Sequence, residues 1–313
     1  MPFREPIFTV VVPTLGRHAQ LSRCLSALRL QRGCRPFNVV VVHNHDGDMG
    51  SASYDTSAGD GVSIEHISEP HTSVGRARNA GSTAALTPWV LYTDDDCVVP
   101  PSWVDERHSY VSRHPEAACV GGLISEPSGP GCINSFMHRL NYMGSAETMK
   151  VRPGNIPSMG CGNLAVRRAA LLELGGFNEQ IASGEDYEML VRLRRAGCIL
   201  ALDPTSSPVK HMHVTGLGRF VRRYLWYGRG VAQIVDLHRL DWESHRIYFR
   251  SSTPAELLRS AHRFALEDLS NTRCPPGVPG LHRPAHVALA YVRALSWQLG
   301  AYMELRRGGR WAS

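Results

Sequence analysis

Lysine is almost absent from this sequence. Only Lys150 and Lys210 occur among 34 basic residues, so arginine carries nearly all of the positive charge, and the formal net charge is +6. The planar guanidinium group suits phosphate, which favours a nucleotide or an anionic lipid as a partner. An arginine-rich composition is also typical of a GC-rich genome, and the sequence gives no sign of a nucleic-acid partner.

Long apolar runs and paired cysteines are lacking as well. No run of about 18 uncharged apolar residues occurs, so the sequence predicts no membrane span. Met1–Pro6 has no apolar signal core, and the run Ile7–Val12 is too short to supply one, so we expect a cytoplasmic protein. The eight cysteines form no Cys-x-x-Cys pair. They predict reduced packing thiols rather than a zinc site or a disulfide framework.

The first half of the chain alternates strand and helix patterns. Its 313 residues, 43% of them hydrophobic and 20% charged, indicate an ordinary globular protein. Strands are predicted at four β-rich runs, namely Ile7–Pro13 (stopped by its proline), Phe37–His43, Ile64–Ile67 and Trp89–Thr93. Helices are predicted around Leu21–Leu28 and at Val74–Leu86. This alternation predicts an α/β fold with a mostly parallel sheet, whose ligands bind at the carboxyl ends of the strands.

The second half is less regular. Residues 125–160 are rich in Gly, Pro and Ser and are expected to form loops. Helices are predicted at Leu164–Leu174, closed by Gly175-Gly176, from Ser183 to about Ala196, and from Thr253 onward, and a linker is predicted at Cys274–Gly280. The apolar stretch His286–Arg307 predicts either an interfacial helix on anionic lipid or a helix packed on the α/β domain or at a subunit interface.

Three consecutive carboxylates, Asp94–Asp96, directly follow the apolar fourth strand. Packed together they repel one another, and a divalent cation such as Mg²⁺ or Mn²⁺ removes that repulsion. Alternation along an extended segment directs Asp94 and Asp96 to one side and Asp95 to the other. The alternative is a solvated acidic turn.

Three further segments carry polar groups suited to chemistry. Arg76 and Arg78, in the segment GRARNAG that opens the second helix, either bind phosphate or a nucleobase or form an exposed basic face. Asp186 lies in the first turn of a predicted helix, where it is either a base within reach of a hydroxyl or only a helix cap. His211 or His213 offers an imidazole to a metal, or is structural.

Taken together, these segments resemble the family 2 glycosyltransferases, which have the GT-A fold. The resemblance covers about residues 7–215. It rests on six segments in the family's order, namely Val10–Arg17, Gly75–Gly81, Leu91–Asp96, Gly160–Arg167, Gly175–Glu179 and Gly184–Asp186. It implies a GT-A catalytic domain at 1–215, with nucleotide-sugar binding at about 7–120 and the acceptor side at about 121–215. A mainly helical region would follow at 216–313.

The resemblance also implies roles for individual residues. Asp94 would lie near the ribose and, with Asp96 and His211, bind Mn²⁺ or Mg²⁺, with His213 as the competing ligand, while Asp186 would be the catalytic base. The other implied donor-binding residues are Thr14, Arg17, Asn44, Arg78 and Asp95. The implied acceptor-side residues are Gly162, Asn163 and Glu185.

The implied reaction is an inverting transfer of one sugar from a nucleotide-sugar to an acceptor hydroxyl. The acceptor would be a glycan, a lipid-linked intermediate, a peptide or a small molecule. One departure concerns the base, since His43 or Asn44 stands where the family usually has an Asp-rich segment, so UDP is expected, with TDP and GDP as alternatives. The C-terminal helices would make any peripheral contact with the inner membrane face or form a homodimer.

Two other functions compete with this interpretation. A sugar-nucleotide pyrophosphorylase, which is a nucleotidyltransferase on a related fold, has a glycine-rich basic loop after its first strand, and the segment PTLGR at 13–17 matches that loop poorly. A non-catalytic sugar-nucleotide-binding protein would not need the full set of carboxylates.

Overall fold

The computed structural model describes residues 5–33, 35–45, 62–126, 129–140, 151–152, 156–157, 159–212, 216–247, 253–271 and 283–307. The chain divides into two compact units. The first, here called the sheet unit, comprises 1–125, 142–180 and 186–212. The second, here called the helical unit, comprises 126–141, 181–185 and 213–313.

The regular elements alternate as the sequence predicts. The strands are β1 Phe8–Thr14, β2 Phe37–His43, β3 Val62–Ser68, β4 Trp89–Tyr92, β5 Cys97–Val98, β6 Ala117–Gly122, β7 Ile124–Ser125, β8 Val151–Arg152, β9 Ile156–Pro157, β10 Leu164–Arg167, β11 Ile199–Asp203 and β12 Val209–His211. The helices are α1 His18–Arg29, α2 Val74–Ala84, α3 Trp103–Arg113, α4 Cys132–Leu140, α5 Arg168–Glu173, α6 Glu185–Arg195, α7 Leu217–His238, α8 Pro254–Asn271 and α9 Arg283–Arg307.

The main sheet of the sheet unit has the strand order β11-β6-β10-β4-β1-β2-β3 among the described residues. Every neighbouring pair in it is parallel except the two pairs made by β10. A smaller sheet has the order β5-β12-β7, and β8 pairs with β9. The predicted α/β class with a mostly parallel sheet is therefore confirmed.

The first strand continues past the proline expected to stop it. Its register with β2 runs through Pro13 to Thr14, while its register with β4 ends at Val11. The carbonyl of Val11 accepts from Thr93, so odd-numbered residues of β1 direct their backbone groups toward β4. The position of the missing N–H of Pro13 therefore faces the side where β4 has already ended. No hydrogen bond between strands is lost there, which allows proline in the strand.

One predicted helix is wrong in its first part. Residues Leu164–Arg167 form β10, an antiparallel strand between β4 and β6, and only Arg168–Glu173 are helical. A four-residue apolar run fits either element, and burial on both sides by neighbouring strands decides for the strand. The chain then turns at Gly175 and Gly176, both with positive φ, as expected at a helix end.

The expectation of loops across 125–160 is also partly wrong. Helix α4 lies there, together with the short strands β8 and β9. Its Phe136 and Met137 are buried in the core of the helical unit. Tertiary burial therefore stabilises a helix in a segment whose composition favours turns.

The helical unit is built on the contact of α7 with α9, and α8 packs on α9. A Cβ atom added at Gly228 would lie 2.0 Å from the carbonyl oxygen of Trp297, and one added at Gly300 would lie 2.1 Å from that of Leu225. The two helix backbones therefore touch. Within this unit, helix α9 packs against α7 and α8. Contact of α9 with lipid or with another subunit stays a prediction.

The predicted cap of α8, the cysteines, the absence of a membrane span and the linker were further predictions from the sequence. Helix α8 begins at Pro254, and the Thr253 hydroxyl accepts from the backbone N–H of Glu256, as the predicted cap requires. No disulfide joins the six cysteines that are described. Within the described ranges, no helix has both the length and the apolar character needed to cross a bilayer. The predicted linker at 274–280 lies outside the described residues.

Candidate active site

The candidate site lies in the sheet unit, at the carboxyl ends of β1 and β4. Strand β4 leads directly into Asp94–Asp96, and β1 ends at Thr14. The chain then turns through Gly16, whose φ of +76° favours glycine, and brings Arg17 to the start of α1. Because β1 and β4 are parallel neighbours, their ends meet at one edge of the sheet.

Asp95 is fully buried and faces the end of β1. Its carboxylate accepts hydrogen bonds from the Thr14 hydroxyl at 2.6 Å and from Nε of Arg17 at 3.1 Å, and a second guanidinium nitrogen of Arg17 also donates to it. Burial, with a smaller effect of nearby Asp96, raises the pKa of Asp95 to about 6, against the opposing effect of Thr14 and Arg17. Arg17 thus forms its main ion pair with Asp95.

Asp94 has a separate arginine partner. Nη2 of Arg78 on α2 donates to Oδ1 of Asp94 at 2.7 Å. The Arg78 side chain is buried, and its guanidinium carbon lies 5.9 Å from the centre of the Phe177 ring. The Asp94 side chain is 28% exposed, so its carboxylate stays accessible to a ligand.

Asp96 lies between Arg17 and His211. Nε2 of His211 is 3.2 Å from Oδ1 of Asp96, and Nη1 of Arg17 donates to Oδ2 at 3.3 Å. The backbone N–H of Met212 donates to the carbonyl of Asp96 at 2.7 Å. The end of β12 is therefore tied directly to the acidic segment, which places an imidazole beside the third carboxylate.

The ligand atoms of Asp96, Cys97 and His211 all lie within 4.8 Å of one another, and no other such group occurs in the described part of the chain. Burial raises the pKa of Cys97 well above its usual value, so this thiol stays protonated and is a poor ligand for a hard cation. Asp96 and His211 remain as the candidate ligands. Asp94 is not part of this group, and His213 lies outside the described residues.

Asp186 lies in the first turn of α6, as predicted. One of its oxygens accepts the backbone N–H of Cys161 at 3.2 Å, and the other accepts that of Tyr187 at 2.7 Å. The side chain is partly exposed. A Cβ atom at Gly160 would lie 3.3 Å from this carboxylate, so glycine there leaves the space beside it open. Glu185 is buried and belongs to the segment 181–185 of the helical unit.

The two other acceptor-side candidates lie in a one-turn 3₁₀ helix, Cys161–Asn163. A Cβ atom at Gly162 would lie 3.8 Å from the Asp94 carboxylate, so this glycine borders the acidic segment. The Asn163 side chain is fully buried and holds Trp103 and Leu123 instead of facing the open side. A direct acceptor contact by Asn163 therefore does not fit the structure.

Asn44 has a different task from the expected base contact. Its Nδ2 donates to the carbonyls of Glu69 at 3.1 Å and of His71 at 2.7 Å, and its Oδ1 accepts from the N–H of Ser73 at 2.9 Å. Both amide hydrogens are thus used inside the chain. Asn44 holds the loop that leads into α2, and with it the position of Arg78.

His43 forms a pair that the sequence did not suggest. Its Nε2 lies 2.9 Å from Nδ1 of His66 on the neighbouring strand β3. Burial, with a smaller effect of nearby His66, lowers the pKa of His43 to about 4. Burial also lowers the pKa of His66, so both rings are neutral at pH 7. The pairing depends on the register of β2 with β3, which the sequence alone does not show.

Curated relatives of this chain are glycosyltransferases. Pre-mycofactocin glycosyltransferase of Mycobacterium tuberculosis is 27% identical over 233 residues, which are 74% of this chain and 48% of that protein. The chain spans about half the length of the curated relatives it matches.

Two solved structures share the fold. The first is mannosyltransferase PcManGT from Pyrobaculum calidifontis in complex with GDP-Man and Mn²⁺, with a TM-score of 0.59 at 16% identity over 95% of this chain and 88% of that chain. The second is S. aureus TarS 1–349 in complex with UDP-GlcNAc, with a TM-score of 0.51 at 15% identity over 96% and 92%. The predicted GT-A fold is confirmed. Since the glycosyl transferase family 2 profile matches residues 9–175, more than half of the chain, the protein belongs to that family.

Proposed function

We propose that this protein transfers a sugar from a nucleoside-diphosphate sugar to an acceptor hydroxyl with inversion, using Asp186 as the base. The observation that carries the proposal is the distribution of charge around Asp94–Asp96. Three carboxylates face two arginines, Arg17 and Arg78, and one imidazole, His211. The three carboxylates carry more charge than the two arginines neutralise. This excess of negative charge favours a divalent cation that also binds the diphosphate.

The metal ligands are proposed to be Asp96 and His211. An oxygen ligand and an imidazole suit Mn²⁺, and an oxygen-rich set completed by phosphate and water suits Mg²⁺. When bound, such a cation stabilises the negative charge that develops on the leaving diphosphate. The GT-A neighbours in complex with GDP-Man and Mn²⁺ or with UDP-GlcNAc support a nucleotide-sugar donor.

The residues of the chain have distinct tasks in this mechanism. Asp94, held by Arg78, faces the ribose and diphosphate, while Arg17 keeps Asp95 and Asp96 in place. As the bond from the anomeric carbon to the diphosphate breaks, the acceptor oxygen bonds to that carbon from the opposite face. The hydroxyl proton passes to the Asp186 carboxylate. One displacement converts an α-linked donor into a β-linked product.

The nucleotide base is proposed to be uracil, with guanine as the alternative to be tested. A thermal-shift screen of UDP- and GDP-sugars with Mn²⁺ identifies the donor, because a ligand that binds only the folded state raises the melting temperature. A larger shift with GDP-sugars would replace uracil by guanine. A failure of every nucleotide-sugar to shift the protein would contradict donor binding.

Asp186→Asn tests the assignment of the base. Transfer to water, measured as nucleotide release from the donor, needs no known acceptor. We expect release to fall about 10²- to 10⁴-fold, the usual contribution of a general base, while the donor-induced thermal shift is retained. Asp105→Asn, at an aspartate 38% exposed on α3, is the matched control and should leave release unchanged. Unchanged release by Asp186→Asn would refute the proposal.

A further inference from the structure

We propose that Thr93, Trp103 and Asn163 are positioning residues that fix Asp186 relative to the acidic segment Asp94–Asp96, acting through the turn Cys161–Asn163. This inference rests on the proposed function, because it concerns the reaction in which Asp186 is the base. Each residue of the turn is held by a different part of the sheet unit. The turn therefore joins the donor side of the site to the base.

The first attachment is a buried polar pair. Nε1 of Trp103, at the start of α3, donates to Oδ1 of Asn163 at 2.8 Å, and Nδ2 of Asn163 donates to the carbonyl of Leu123 at 2.8 Å. Both side chains are fully buried. Because a buried amide or indole N–H is costly unless it is hydrogen-bonded, this pair allows Asn163 only one arrangement.

The second attachment comes from the residue that precedes the acidic segment. The hydroxyl of Thr93 donates to the carbonyl of Gly162 at 3.1 Å, and Thr93 is fully buried. The third attachment is the donation from the N–H of Cys161 to Oδ2 of Asp186. A displacement of Gly162 therefore reaches Asp94 through one bonded neighbour and Asp186 through another.

Gly160, which precedes the turn, and Gly162, within it, each lie beside one of the two carboxylates. Added Cβ atoms at Gly160 and Gly162 would lie 3.8 and 3.2 Å from the same atom, Cδ1 of Ile124. They would also approach Asp186 and Asp94, respectively. In the proposed transfer, the reacting atoms would lie in the space between these two carboxylates. Small errors of alignment in such a space are costly, since a 1 Å misplacement reduces rates about 10²-fold.

Thr93→Val and Thr93→Ser form the central test. Valine keeps the shape of threonine and removes the hydroxyl, whereas serine keeps the hydroxyl. We expect Thr93→Val to lower kcat for nucleotide release about 10- to 100-fold, with the donor KM and the Mn²⁺- and donor-induced thermal shift unchanged. Thr93→Ser should retain most of the rate. Trp103→Phe, which removes the indole N–H, should resemble Thr93→Val and serves if the valine variant does not fold.

A double variant distinguishes positioning from a general loss of structure. If Thr93 acts through Asp186, then Thr93→Val should slow wild-type protein but leave Asp186→Asn no slower than it already is. Equal slowing in both backgrounds would overturn the proposal, as would a loss of donor affinity that matches the loss of kcat. Full activity of Asp186→Asn by itself would instead reject the proposed function, whatever Thr93→Val does.

Discussion

The two units of this protein use buried charge in opposite ways. In the helical unit, Asp268 is enclosed by Arg246 and Arg293, and the side chains of Asp268 and Arg293 are less than 5% exposed. The guanidinium of Arg293 also lies over the rings of Tyr224 and Phe264. Here two arginines of the same unit neutralise the buried carboxylate of Asp268.

In the sheet unit, by comparison, the chain does not fully neutralise the charge of the acidic segment. Asp94 and Asp96 keep exposed surface, and three carboxylates share two arginines and one imidazole. We propose that this difference distinguishes a buried network that stabilises a fold from one that prepares a binding site. A structural network is closed by the chain, whereas a binding site has charge left for a ligand.

The largest effect on stability is expected from Asp268→Asn. The substitution leaves two arginines in the helical unit facing a neutral amide, and breaking a buried ion pair destabilises a protein by about 3–5 kcal/mol. Urea denaturation measures this loss. Glu256→Gln, whose partner Arg259 is 73% exposed, is the control and should change stability by less than about 1 kcal/mol. Similar values for the two variants would contradict a closed structural network.

Glycine substitutions on α7 give the next largest effect. Gly228→Ala places a Cβ atom against the backbone of Trp297, and we expect a loss of about 1–3 kcal/mol from overpacking. Gly218→Ala on the same helix meets nothing within 4 Å and should stabilise the protein by about 0.5–1 kcal/mol. If thermal denaturation gave the same sign for both, close contact of α7 with α9 would be refuted.

A smaller change in stability is expected from Asp96→Asn in the acidic segment. Removing one of three adjacent carboxylates relieves repulsion, so the free energy of unfolding should change by less than about 1 kcal/mol in either direction. The thermal shift caused by Mn²⁺ with nucleotide should disappear, because one proposed ligand is lost. A loss as large as that of Asp268→Asn would show that the acidic segment is a structural network too.

The smallest expected effect is on the dependence of stability on pH. His43 is neutral in the folded state with a pKa of about 4, against 6.5 for an ordinary histidine, so the unfolded state binds more protons between these values. Stability should therefore fall as pH drops from 6.5 toward 4, and His43→Gln should flatten this slope. An unchanged slope in His43→Gln would contradict the buried neutral pair.

Much of the sheet unit could be predicted from the sequence. Apolar runs of the right length mark β1, β2 and β4, and Leu21, Cys24, Leu25 and Leu28 are the buried residues of α1. The acidic segment, Arg78 and Asp186 could be found because their residue types and order are local features. The strand β10 could not be predicted, because four apolar residues acquire strand geometry only between two existing strands.

The hydrogen-bond partners of the site residues could not be predicted from the sequence. Nothing local indicates that Asn44 holds a backbone loop, that Asn163 bonds Trp103, or that His43 pairs with His66. These contacts join residues separated by 23 to 60 positions. They depend on strand register and on the packing of α3, and so they become visible only in the folded chain.

The sequence by itself determined the class of fold, the family and the chemical groups available to the site, because these follow from periodicity, composition and short motifs. Only the tertiary structure decided how the charges are shared. Asp95 is held by Arg17, Asp94 by Arg78, and Asp96 lies beside His211. The physical reason is that electrostatic and hydrogen-bonding partners are chosen by distance in space, which folding sets and sequence order does not.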